Sequence, residues 1–223
     1  NNINCDLIYS IPNQTLNMWE QDLNTIIKME PEHISAYALT VEKGTDLFSM
    51  VYNNKISMPS DRQGGKWFIK THDILSDNGY QAYEISSFSK AGFECRHNLH
   101  YWDIDPYLAF GPSAHGFDGI HRWNNARSLD QYIERIRTEK SPISKIEKIQ
   151  LIDHLNELIG FGLRMRKGVD INKIPVDHQI EFQNKILHTR KKYPDCFQSA
   201  NDIISLTQKG MLYSDRIIPE LLF

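Results

Sequence analysis

The feature that most constrains this chain is the alternation of two periodicities in residues 3–89. INCDLIY (3–9), HISAYALTVE (33–42) and YQAYEISSFS (80–89) are short, apolar or β-branched segments that read as strands. The first is closed by Ser10-Ile11-Pro12 and the second by Lys43-Gly44-Thr45. Between the first two, residues 17–29 carry Trp19, Leu23, Ile26 and Ile27 at helical spacing, and Met29-Glu30-Pro31 ends that helix. A polar loop reaches Pro59. A second helix is expected over 61–76, with Trp67, Ile69, Ile74 and Leu75, stopped by Asp77-Asn78-Gly79. Strand, helix, strand, helix, strand is the pattern of parallel βαβ units, so an α/β sheet or barrel segment is predicted.

Beyond residue 90 the texture changes. Residues 91–126 show little periodicity and hold His97, His100, His115 and His121, four of the chain's nine histidines, with Trp102, Trp123 and the run AFGPSAHG. This reads as irregular, site-like structure. From Ser128 onward helices are expected at 128–138, 144–166 and 178–190, with a short turn near 170–175. FQSANDIISLT reads as a hairpin and QKGMLYSDRIIPELLF as a closing helix, an arrangement resembling a winged-helix appendage. The expected division is a barrel-like part over 1–126 and a mostly helical domain over 127–223.

Composition narrows the function classes. The chain has 223 residues, 40% hydrophobic and 24% charged, which is ordinary globular composition. Its net charge of −3 argues against a whole-protein nucleic-acid binder. No apolar run approaches the ~20 residues a membrane helix needs. Cys5, Cys95 and Cys196 are too far apart for a disulfide framework or a self-contained zinc or iron–sulfur site. A reducing, cytoplasmic compartment fits. The start NNINCDLIYSIP lacks the basic and apolar regions of a signal peptide and reads like the middle of a protein.

Several residues could carry chemistry. In Cys95-Arg96-His97-Asn98-Leu99-His100-Tyr101-Trp102, a neutral imidazole suits iron or zinc, and Tyr and Trp could pack on a flat ligand such as a porphyrin. The same residues could equally cap a loop and fill core. The small residues of AFGPSAHG either let backbone approach a ligand or bend a strand. Glu42 and Glu84, near strand ends, are either an acid/base pair of a hydrolase or acceptors for loop amides. Asp6 sits mid-strand, where an acidic residue must accept hydrogen bonds from a ligand or from protein groups. Gly64-Gly65 follows no strand and precedes no Lys-Ser/Thr pair, so it is no phosphate loop.

DLIYSIPNQT (6–15), HISAYALTVEKGT (33–45), GYQAYEISSFS (79–89), HNLHYW (97–102) and AFGPSAHG (109–116) together resemble, in order and spacing, the C-terminal half of the HemW/HemN-type radical SAM family. That family holds oxygen-independent coproporphyrinogen III oxidases and their haem-chaperone relatives. HNLHYW and the YEIS strand point to the HemW-like branch. The resemblance covers about residues 1–125, and the tail matches in layout more than in residues. It implies a partial (β/α) radical SAM barrel followed by the helical, winged-helix-like domain. It also implies S-adenosylmethionine and a [4Fe-4S] cluster held by a CxxxCxxC motif, which this chain lacks together with the family's Gly-Gly-Gly-Thr-Pro loop. The expectation is therefore a fragment or truncated product whose partner is the missing N-terminal half. Such a chain cannot assemble the cluster alone, and its first strand has an unpaired edge.

By the same resemblance Asp6 contacts S-adenosylmethionine as an acceptor, Thr40 touches it through backbone, and His115 is a further contact. His97 opens the motif linked with haem and would be the axial ligand of the haem iron, with Cys95 an outside candidate. Ser10 stands where the family usually has Gly, and Pro112 offers no amide hydrogen. The implied function is haem handling or delivery. The alternative is oxidative decarboxylation of coproporphyrinogen III propionates.

Overall fold

The computed structural model describes residues 2–223. It comprises two compact units: residues up to Cys95 together with Leu163–Leu221, and Arg96–Gly162 with Leu222–Phe223.

The first unit begins as expected with β1 (Asn4–Tyr9), α1 (Leu16–Ile27) and β2 (His33–Ala38). β1 and β2 pair in parallel, from Asn4 opposite His33 to Tyr9 opposite Ala38. Thr15 caps α1 by accepting from the Met18 amide. The expected polar loop contains α2 (Asp46–Tyr52), capped by Thr45. α3 (Asp61–Asp77) starts with a capping box made by Ser60 and Gln63. The segment 80–89 departs from expectation. It is not one parallel strand but a tight hairpin of β3 (Gln81–Ala82) and β4 (Ser87–Ser89), with β4 antiparallel to β2. The cause lies in the bend: the Ser86 amide donates to Glu84 Oε1 at 2.9 Å, and the Tyr83 amide donates to the Ser87 carbonyl at 3.2 Å. The sheet order is β1-β2-β4-β3, with β1 at its end.

Strand pleating sorts this sheet into two faces. Leu7, Tyr9, Ile34, Ala36 and Phe88 join Trp19, Leu23, Trp67, Leu75 and Tyr80 from the helices and the loop before β3 in the core. Two of its aromatics have their polar ends paired: Trp19 Nε1 donates to Thr71 Oγ1 at 2.8 Å, and Tyr80 Oη to the Pro31 carbonyl at 2.8 Å. The opposite face, through Asn4, Asp6, His33 and Ser35, is polar.

The second unit holds α4 (Arg96–Trp102), β5 (His115–Phe117), β6 (His121–Asn125), α5 (Leu129–Arg137), β7 (Ile143–Lys148) and most of α6 (Leu151–Arg164). Residues 144–148 were expected to be helical, but β7 pairs antiparallel with β6, and the helix begins only at Leu151. The resulting sheet, β5-β6-β7, crosses the expected boundary at 126/127, so the compact units do not follow that division. Arg122 ties β6 to α6 through a bidentate pair with Glu157, at 2.6 and 3.0 Å.

The chain then returns to the first unit with β8 (Val169–Asp170), a 3-10 turn (Ile171–Lys173), α7 (Val176–Lys192), β9 (Phe197–Ala200) and β10 (Ile203–Leu206). The β9–β10 hairpin is as predicted, and β8 adds to β10. The closing helix is broken into α8 (Gln208–Leu212), α9 (Ser214–Ile217) and a 3-10 turn containing Pro219, whose ring ends regular helix. Gln208 Nε2 donates to the Ile69 carbonyl and to Asp73 Oδ1 of α3, at 3.1 and 3.0 Å. The winged-helix-like tail thus belongs to the same compact unit as the βαβ segment.

Candidate functional site

On the polar face of the first unit a hydrogen-bonded chain runs from the bend after β3 across β2 to β1 and ends at Asp6. Asp6 is exposed, and its Oδ1 accepts from Asn4 Nδ2 at 2.8 Å. Asn4 Oδ1 accepts from His33 Nδ1 at 2.7 Å and from Ser35 Oγ at 3.3 Å. Because Asn4 Oδ1 can only accept, the proton of neutral His33 sits on Nδ1, and Nε2 accepts from the Tyr83 hydroxyl at 2.8 Å. The Tyr83 oxygen in turn accepts from the Cys95 amide at 3.4 Å. His33 is buried, and burial pushes its pKa below the ordinary value of 6.5 against the pull of Asp6, Glu84 and Glu94. Burial likewise raises the Tyr83 hydroxyl. Asp6 is therefore held by a protein group on one oxygen. Asn4, His33 and Tyr83 were not singled out from sequence. The period-2 placement of Asn4 and Asp6 on one face of β1 was the available signal.

Thr40, just past β2, is exposed and lines a cavity of about 380 Å³ with Tyr9, Tyr37, Ser86, Arg164 and Asp215. This opening lies at the C-terminal ends of the parallel strands. Ser10 follows β1 with φ of 60°, the left-handed region, which explains why glycine suits this position. Glu84 is buried, with Oε1 on the Ser86 amide and Oε2 3.3 Å from Arg164 Nε. It serves loop backbone and an ion pair, whereas Glu42 is exposed.

In the second unit α4 carries the HNLHYW segment. His97 is exposed, its ring edge-on to Tyr101 at 5.1 Å. A file of rings continues from Tyr101 to Tyr107 at 4.8 Å and from Tyr107 to Phe117 at 6.1 Å. Tyr107 and Phe117 are also joined by two backbone hydrogen bonds of 2.8 Å. His100 Nδ1 lies 2.6 Å from Asp105 Oδ2. Trp102 packs edge-on against Phe161 at 5.6 Å. Trp102 is half-buried, Tyr101 is exposed, and both histidines are exposed. His115 opens β5 and is exposed, with Asn124 opposite it. In AFGPSAHG, Gly111 has φ of 94° and its amide donates to the Tyr132 hydroxyl at 3.1 Å, so this run makes a bend fixed by protein groups. Asp6 and Thr40 belong to the first unit, His97 and His115 to the second.

Among the described residues no group of three or more His, Cys, Asp or Glu could hold a metal ion. Cys5 and Cys95 are half-buried and Cys196 is buried. The residues present do not fit an iron–sulfur cluster, which takes several cysteines. An accessible imidazole beside an aromatic ring is the chemistry a haem iron and its porphyrin would need. In the second unit His97 and His100 are exposed, and Tyr101, against the His97 ring, is 40% exposed.

The fold is that of a radical SAM protein of the HemN kind. Over 98% of this chain it superposes, with a TM-score of 0.74 at 18% identity, on 54% of the chain of coproporphyrinogen III oxidase (HemN) from Escherichia coli, described as a radical SAM enzyme. No protein-family model matches the chain. Its sequence is 33% identical over 168 residues to heme chaperone HemW of Bacillus subtilis (strain 168), covering 75% of this chain and 44% of that protein. It is 29% identical over 215 residues to heme chaperone HemW of Lactococcus lactis, covering 96% and 53%. Against heme chaperone HemW of Haemophilus influenzae it is 43% identical over 113 residues, covering 51% and 28%. The chain belongs to the HemW/HemN-type radical SAM family. It spans about half the length of the curated relatives it matches. No described helix is long and apolar enough to cross a membrane.

Proposed function

We propose that this chain is the haem-binding half of a HemW-like protein that handles or delivers haem in the cytoplasm. The observation that carries the reading is α4, which exposes His97 beside the ring file Tyr101–Tyr107–Phe117. His97 would donate its imidazole lone pair to the haem iron, and the aromatic and apolar side chains would cover the porphyrin. On the first unit, Asp6 would accept hydrogen bonds from polar groups of S-adenosylmethionine through the oxygen Asn4 leaves open. Thr40 would contribute backbone at the strand-end cavity. His115, on the second unit, would be a further contact of S-adenosylmethionine by the family resemblance alone. The [4Fe-4S] cluster, which supplies the electron for cleaving S-adenosylmethionine, would be held by cysteines of the polypeptide that completes the barrel.

The test is titration of the intact protein with haem, read by its Soret band. A saturable band at one haem per chain is expected, and its absence refutes the reading. In an anaerobic assay of the same protein, robust protoporphyrinogen formation from coproporphyrinogen III would put the oxidase reading first.

A further inference from the structure

We propose that His100 is a second ligand for the haem iron, one that shares the metal with His97 in alternation. This rests on the haem-binding reading above and adds a residue to it. His100 is better prepared for a metal than His97. Its Nδ1 is 2.6 Å from Asp105 Oδ2, and the Asp105 amide donates to the His100 carbonyl at 2.9 Å. The second contact depends on a tight return of the chain after α4, in which Ile104 adopts φ of 60°. The left-handed region disfavours a β-branched residue, so the turn holds Asp105 against His100 at some expense.

The chemical result is a carboxylate–histidine couple. In the neutral ring the proton sits on Nδ1 and is donated to the carboxylate, and the Nε2 lone pair is left outward. The His100 side chain is 65% exposed, so that lone pair is accessible. A carboxylate behind a ligating histidine fixes the tautomer and raises its basicity. No hydrogen bond to either ring nitrogen of His97 is found among the described residues, and its ring meets that of Tyr101 edge-on.

Geometry forbids both histidines from binding one iron together. Axial ligands approach a porphyrin from opposite faces. His97 and His100 are three residues apart on one helix, with Cβ atoms about 5–6 Å apart on neighbouring positions of its surface. Each can therefore bind from the same side only, one at a time. This helix would supply the iron with one histidine at a time. Coordination uses the Nε2 lone pair, and the Nδ1 proton stays on the ring.

The experiment uses the intact protein with ferrous haem, and His97→Ala, His100→Ala, the double variant, and Asp105→Asn in the His97→Ala background. Both histidines are exposed, and matching far-ultraviolet spectra establish that the variants fold. Each single alanine variant should keep a Soret band with affinity within about tenfold of the parent, while the double variant loses it until imidazole is added. Asp105→Asn in the His97→Ala background should weaken binding about 10- to 100-fold. It should also lower the iron–histidine stretching frequency in resonance Raman, a readout that a purely structural role leaves unmoved. Complete loss of the band in His97→Ala alone, with His100→Ala unaffected, overturns the shared-ligand assignment and leaves the haem reading standing. No band in the parent protein overturns both.

Discussion

His72 should make the first unit acid-sensitive by an amount its surroundings set. It lies on α3 with 7% of its surface exposed, between the rings of Phe68 at 4.4 Å and Phe88 at 4.8 Å. Its Nε2–H donates to the Ile85 carbonyl at 3.3 Å. Burial dominates over that bond and over the nearby Asp73, and pulls the pKa from 6.5 to about 4. A base whose folded pKa is depressed favours the neutral form in the fold. The unfolded chain therefore binds the extra proton first as pH falls. Stability is complete above pH 6.5 and drains away between 6.5 and about 4, by about 3 kcal/mol in all. The perturbation is His72→Phe, which keeps a ring between Phe68 and Phe88 and removes the titration. At pH 7 it should cost about 1–3 kcal/mol, because the Ile85 carbonyl loses its donor. Between pH 7 and 4.5 the variant should lose about 2 kcal/mol less than the parent. Urea unfolding followed by the fluorescence of Trp19 and Trp67, both in the adjoining core, measures this directly. His33, depressed in the same direction, leaves part of the acid sensitivity in the variant. Identical losses in parent and variant would refute the argument that burial of His72 sets this pH dependence.

Tyr83→Phe should cost about 1–3 kcal/mol, since it strips the buried His33 Nε2 of its donor, and in the intact protein it should weaken S-adenosylmethionine binding in calorimetry while leaving the haem Soret titration unchanged. Gly168→Ala should destabilise the first unit by at least about 2 kcal/mol in the same urea assay, because its φ of 74° disfavours a side chain and the new Cβ would sit 2.3 Å from the Ile204 carbonyl oxygen.

What was legible from sequence follows the strength of local periodicity. β1, α1, β2, α3, α5 and α7 all carry sustained apolar spacing or clear caps, and each forms where expected. α2 was hidden because DLFSMVY is seven residues long and sits in a polar stretch, where no periodic face can accumulate. β7 was misread because ISKIEK suits a helix as well as a strand, and only pairing with β6 decides it. The bend at Glu84 depends on a carboxylate reaching a nearby amide, which no periodicity announces. At the candidate site, the motif residues His97 and Asp6 could be found by likeness to relatives. The contacts around them could not: beside His97, Asp105 reaches His100 after a left-handed residue, and behind Asp6, His33 reaches Asn4 across a strand pairing. Such contacts exist only once the chain has turned.

The first unit draws its segments from both sides of the second, with Leu163–Leu221 joining residues that precede Arg96. On the ribosome, the early βαβ segment therefore emerges well before the tail that contributes β8 to β10 and α8. At typical translation speeds of about 5–20 residues per second, the wait for that tail lasts several seconds. Throughout it, the outer side of α3 that later receives Gln208 stands uncovered, and this interval is when a nascent-chain binding factor has most to protect.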